Sequence, residues 1–208
     1  MKRKNIGYAL LVTGALFSLS VATNASADAA KLAESCASCH GKDGASVDDD
    51  MPNIGGLSAE YFSGAMKAYK TKTRPCIETK IRSGDKKGTK TDMCQVVKDV
   101  SEADIKLLSK QFSEKKFVRA TQKFDAALAQ KGKGIHDKQC EKCHSENGTL
   151  ASDDGGILGG QKMAYLKEQT EFFHGGKRAY ADKKMKDKLE ILDKAGIDAL
   201  VHYYGSIK

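Results

Sequence analysis

A pentapeptide of the form Cys-x-x-Cys-His occurs twice in this chain, as Cys36-Ala37-Ser38-Cys39-His40 and as Cys140-Glu141-Lys142-Cys143-His144. The spacing puts two thiols one helical turn apart, where they can form thioethers to the two vinyl groups of a haem, and sets a histidine beneath the iron. Two thiols and an imidazole can also hold zinc, but thiolate zinc sites are uncommon in exported proteins and this motif is specific for covalent haem. Two haem c groups are therefore expected, attached at Cys36, Cys39, Cys140 and Cys143, with His40 and His144 as proximal iron ligands.

Superposing the motifs reveals a duplication. With Cys36 over Cys140, Ile54-Gly55-Gly56 falls on Leu158-Gly159-Gly160 and Tyr61-Phe62 on Tyr165-Leu166, without a gap. With Met93 over Met185, Ile105 falls on Ile197, Leu108 on Leu200 and Phe112 on Tyr204. The two registers differ because the first copy is longer between Tyr69 and Met93, in a Gly- and Lys-rich stretch expected to be a surface loop. The periodicity reads as all-α: a middle helix from about Ser58 to Tyr69, its counterpart from about Lys162 to Phe173, and final amphipathic helices capped in the first copy by Ser101. Gly132-Lys133-Gly134 is expected to open the helix that delivers Cys140, and nothing reads as a strand.

Lys2-Arg3-Lys4, the apolar run Ile6 to Val21 and the small-x-small triplet Ala25-Ser26-Ala27 describe an export leader cleaved before Asp28. An uncleaved anchor is the other reading, though the run is short for a span, is preceded by Asn5 and carries Thr13, Ser18 and Ser20. The expected organisation is a signal peptide over 1–27, a first domain over 28–116, a linker over 117–130 and a second domain over 131–208, in the periplasm with no membrane span after cleavage. Loss of the leader removes three basic residues and no acids from the +8 chain, and haem propionates lower the charge further, so basicity is no sign of nucleic-acid binding. Domains of roughly 80 to 90 residues are small for an unaided core. With no Trp and 7% aromatic residues, a buried porphyrin supplies the missing apolar bulk.

The distal ligands are not adjacent in sequence. Met93 and Met185 are the methionine pair that repeat symmetry matches, each in a loop ahead of the final helix, whereas Met51, Met66 and Met163 have no such relation. Methionine opposite histidine stabilises ferrous iron and suits an electron carrier. His174 is a rival on the second haem, but its counterpart is Lys70, and a surface or propionate-contacting role is the simpler account; His136 and His202 read as ordinary helix residues. The Gly-Gly loops suit backbone approach to a porphyrin face, and Tyr61 and Tyr165 suit either a propionate contact or helix packing. Cys76 and Cys94 remain after haem attachment and are expected to form a disulfide that tethers the Met93 loop, a redox or sulfur-handling pair being the alternative.

With these residues in place, the chain resembles the dihaem class I cytochromes c, and most closely the cytochrome subunit of flavocytochrome c sulfide dehydrogenase. The likeness is carried by Phe124 to Ala129, by Ile135 to His144 and by Lys183-Lys184-Met185 leading to Gly196 to Leu200; the Cys76 to Cys94 insertion departs from it. The resemblance implies two tandem class I cytochrome c domains and a relay role. A FAD-containing flavoprotein subunit would oxidise sulfide, and this chain would pass the electrons to a soluble cytochrome or an oxidase. A free dihaem carrier shares the same fold and ligands. A haem enzyme such as a thiosulfate-oxidising cytochrome is a third reading, and it would need an exchangeable axial position.

Overall fold

The computed structural model describes residues 21–180 and 182–208. The first half carries α1 (Val21–His40), α2 (Ala59–Lys70), α3 (Met93–Val97) and α4 (Glu102–Ser113). The second carries α5 (Ala126–Gln139), α6 (Ser145–Gly148), α7 (Met163–His174), α8 (Lys183–Glu190) and α9 (Lys194–Ser206). No described helix is long and apolar enough to cross a membrane. The expected leader lies outside the described residues apart from 21–27, which fall in the first turns of α1.

Local signals start the helices where the sequence places them. Ser58 accepts from the Tyr61 N–H and opens α2, which buries Phe62 and Met66, four residues apart on one face. Ser101 and Asp104 form a reciprocal capping box ahead of Ile105, Leu108 and Phe112. Asp193 caps α9, whose buried residues surround the helix because it packs against both α5 and α7.

Each half has its own core. Phe62, Met66, Val97, Ile105, Leu108 and Phe112 form the first, with Cys36 and Met93 packed against it. Leu166, Leu200, Val201, Tyr203 and Tyr204 form the second, with Cys140 packed against it. A CxxCH cysteine thus borders each core, so the haem attachment point and the apolar cluster are one structural unit.

Four expectations need correction. The first-copy insertion contains a short antiparallel ladder, Thr79–Lys80 (β1) against Lys90–Thr91 (β2), too brief to carry a period-2 pattern. Helix α5 starts at Ala126, inside the expected linker and well before Gly132, because Asp125 caps it by accepting from the Leu128 N–H. Gly132 is a crossing point instead: a Cβ there would stand 2.1 Å from the Ala199 carbonyl oxygen of α9. Met93 and Met185 lie on the short helices α3 and α8, not in loops.

Candidate haem centres

In the first half, α1 delivers Cys36, Cys39 and His40 at its C-terminal end. His40 is 8% exposed, and its Nδ1–H donates to the Pro52 carbonyl at 3.0 Å, which orients the ring and leaves Nε2 as the nitrogen for a metal. Burial pushes the His40 pKa below its ordinary value, so the imidazole is held neutral, the state that ligates iron. The chain then turns through Gly41 and Gly44, both in the left-handed region. The Gly44 carbonyl accepts from the Ile54 and Gly55 N–H groups at 2.8 and 3.2 Å.

The second half repeats this closure. The Gly148 carbonyl accepts from the Leu158 and Gly159 N–H groups at 2.8 and 3.0 Å. Gly44 and Gly148 share the offset that relates the two CxxCH motifs, a signal the sequence reading passed over. The Gly-Gly loops also close on the protein's own backbone. A Cβ on Gly55 would stand 2.3 Å from the Asp43 carbonyl oxygen, and one on Gly56 would stand 2.6 Å from the Phe117 nitrogen. These glycines let backbone close on backbone behind the histidine.

His144 differs in its support. Its ring lies against Gly155, where a Cβ would be 2.7 Å from Cε1, and its buried Nδ1 has no hydrogen-bond partner among the described residues. Burial lowers its pKa as it does for His40. The preceding turn is braced by His136, which is wholly buried and therefore no ordinary helix residue. His136 Nδ1 pairs with the Tyr204 hydroxyl at 3.0 Å, and its Nε2 pairs with the Glu141 carboxylate. Glu141 in turn accepts from the Glu146 N–H at 3.1 Å, holding the left-handed residues Glu146 and Asn147 that follow His144. The first-half counterparts of His136 and Tyr204 are Leu32 and Phe112, so this polar brace belongs to the second half alone.

None of Cys36, Cys39, Cys140 and Cys143 is engaged in a disulfide, and Cys36 and Cys140 are half-buried against the two cores. Cys76 and Cys94 are joined as a disulfide with a Cα–Cα distance of 5.7 Å. Met93 is half-buried at the head of α3 and Met185 half-buried on α8. Met51 and Met66 are buried in protein, and Met163 packs against the second core. His174 is exposed at the end of α7, where its Nε2 bonds the Leu192 carbonyl at 3.1 Å, and His202 Nδ1 accepts from the Asp125 N–H at 2.9 Å.

Between the halves lies a buried polar cluster that the sequence reading identified only through its tyrosines. Arg74, 4% exposed, donates to the Tyr165 hydroxyl at 2.6 Å and to Gln169 Oε1 at 3.0 and 3.2 Å, and stacks over the Tyr69 ring. Its repeat counterpart Arg178 donates to the same Gln169 oxygen at 2.7 Å, lies over Phe173, and sits beside the Tyr61 hydroxyl. Burial pushes the Tyr61 phenol up, but the two guanidiniums outweigh it and hold it down at about 8. Nearby, Asn53 and Gln161 exchange backbone and side-chain hydrogen bonds across the halves at 2.9 and 2.8 Å. Neither Arg74 nor Arg178 pairs with a carboxylate among the described residues. A guanidinium held off water by neutral acceptors is costly unless an anion completes it, and haem propionates are anions of the right kind.

The donor set therefore fits haem: four cysteine sulfurs, a buried and a half-buried imidazole whose pKa values are both lowered, and two cations without a carboxylate partner among the described residues. Residues 26–110 match the family model described as Cytochrome c. They form a cytochrome c domain. Cytochrome c4 of Stutzerimonas stutzeri is 29% identical over 180 residues, covering 81% of both chains. The structure of reduced recombinant cytochrome c4 from Pseudomonas stutzeri superposes with a TM-score of 0.69 at 26% identity, over 88% of this chain and 98% of that one. Thiosulfate dehydrogenase (TsdBA) from Marichromatium purpuratum shares the fold with a TM-score of 0.67 at 21% identity, over 86% of this chain and 39% of that one. The architecture is two tandem class I cytochrome c domains, and the chain carries two covalently bound haem c groups. Each haem supplies one-electron chemistry when bound.

Proposed function

We propose that this chain is an exported dihaem electron carrier, acting in the periplasm between a reduced donor and a soluble cytochrome or an oxidase. His40 with Met93 and His144 with Met185 are the axial pairs, and Cys36, Cys39, Cys140 and Cys143 are the attachment points. The observation that carries this reading is the crossed pair Arg74 and Arg178, which supports placing propionates of both haems at one buried junction where electrons can pass between them. Around it, His40 and His144 are held neutral by burial, and the Gly44 and Gly148 closures fix their turns.

Likeness to proteins named cytochrome c4 favours a carrier that works without a tightly bound flavoprotein. The cytochrome subunit of a flavocytochrome c sulfide dehydrogenase rests on the resemblance over Phe124 to His144. Purification of the native protein under gentle conditions tests the carrier reading. Two haems per chain, methionine-to-ferric-iron charge-transfer bands and no flavin in the peak are expected. Co-elution of an FAD-containing partner whose reduction by sulfide bleeds into the haem bands would overturn the free-carrier reading in favour of the subunit.

A further inference from the structure

The two distal methionines are anchored very differently. Met93 heads α3, whose N-terminus is capped by Asp92, accepting from the Gln95 N–H at 2.9 Å, and whose Val97 is wholly buried in the first core. Met93 itself packs on that core. The next residue, Cys94, is covalently tied to Cys76, whose Sγ lies 3.6 Å from the Arg74 carbonyl oxygen. Through two residues of chain the tether continues to the Arg74 guanidinium and its bonds to Tyr165 and Gln169. Beyond α3, the Lys70 ammonium holds the Val100 carbonyl at 2.5 Å.

Asp182 caps α8 as Asp92 caps α3, accepting from the Lys184 N–H at 2.6 Å, but Met185 has few of the other restraints. Every other side chain of α8 is exposed except the buried Leu189. The ion pairs of α8, Lys183 with Asp187 and Lys186 with Glu190, run along the helix itself and do not tie it to the body. No cysteine lies near Met185 in sequence. Displacing α3 would break a disulfide or carry the interdomain cluster with it, whereas displacing α8 exposes little apolar surface, so its local opening costs less.

We propose that the axial position opposite His144 is exchangeable and binds small exogenous donors of the imidazole or cyanide type, while the Cys76–Cys94 bridge latches the position opposite His40. The proposal rests on the methionine assignment above. A ligand that must wait for methionine release binds with an apparent affinity reduced by the fraction of open molecules. The haem beneath α8 therefore takes ligand first.

The test is an imidazole titration of the fully oxidised holoprotein, following the methionine-to-iron charge-transfer band. Two phases of similar amplitude are expected, separated by about tenfold or more in imidazole concentration. Met185→His should abolish the low-concentration phase and leave the other in place. Cys76→Ser with Cys94→Ser should move the high-concentration phase down towards the first. Loss of both halves of the band together, or survival of the low-concentration phase in Met185→His, overturns the exchangeable second site. An unmoved high-concentration phase in the double serine variant overturns the latch. Absence of the band before any imidazole is added would instead defeat the methionine assignment, and the proposal with it.

Discussion

Arg74 of the first half donates to the Tyr165 hydroxyl of the second at 2.6 Å, and its repeat counterpart Arg178 sits beside Tyr61 of the first. Each arginine thus reaches across to the tyrosine of the other copy. Gln169 is shared by both guanidiniums. The duplication is therefore used at the junction itself, where a local pattern becomes a crossed, two-fold arrangement.

Removing one of these cations favours the more positive, ferric state of nearby iron. Arg74→Gln should lower the midpoint potential of both haems, by on the order of tens of millivolts. Spectroelectrochemical titration reads this directly, and unchanged potentials would show that the guanidinium faces no redox centre.

Asn53 and Gln161 are each 2% exposed and satisfy one another across the halves. Asn53→Ala leaves the backbone pairing but removes the side-chain bonds to the Ser46 N–H and the Val118 carbonyl. Gln161→Ala strands the Asn53 N–H and carbonyl. Each should cost about 1–3 kcal/mol in urea unfolding. The double variant should cost less than the sum, because both act on one network.

Gly132 has no room for a side chain, since a Cβ would meet the Ala199 carbonyl at 2.1 Å and Tyr203 Cβ at 2.7 Å. Gly132→Ala should destabilise the second half by about 1–3 kcal/mol through forced separation of α5 and α9. Gly134, with nothing near its Cβ position, is the control: Gly134→Ala should leave stability unchanged or raise it. Thermal melts of the two variants compare them.

The hydrogen bond from His136 holds the Glu141 carboxyl below its ordinary value of 4.5. Stability from this pairing is present above the unfolded-state pKa and is lost as pH falls through the lowered folded-state pKa. Wild type should therefore exceed Glu141→Gln in urea midpoint at neutral pH, with the gap closing in acid below pH 4.5. The side chain is 45% exposed, so solvent screening keeps the gap modest. A gap independent of pH would assign the effect to packing of the turn after His144.

Much of this was legible from residue spacing. Ser58 and Ser101 mark helix starts because a side-chain oxygen beside an orphan N–H is a local event. The Ile105, Leu108 and Phe112 stripe reports its own buried face by period alone. His136 reads as an ordinary helix residue in sequence because burial of its face depends on α9, which arrives late in the chain. The backbone that closes on the Gly-Gly loops is hidden from the sequence for a similar reason. Paired glycines mark permissive backbone, but that Asp43 and Phe117 approach Gly55 and Gly56 is a tertiary relation.

Sequence by itself determined the covalent chemistry, the all-α class and the duplication, because a CxxCH turn, helix caps and a repeat offset are all encoded over short distances. Arg74 and Arg178 share that same offset, so even their equivalence was available. Only the tertiary structure decided that each would cross to the other copy, and that Met93 would be tied down while Met185 rides on an exposed helix. Such relations depend on which surfaces meet once two cores have formed, and no local propensity fixes that.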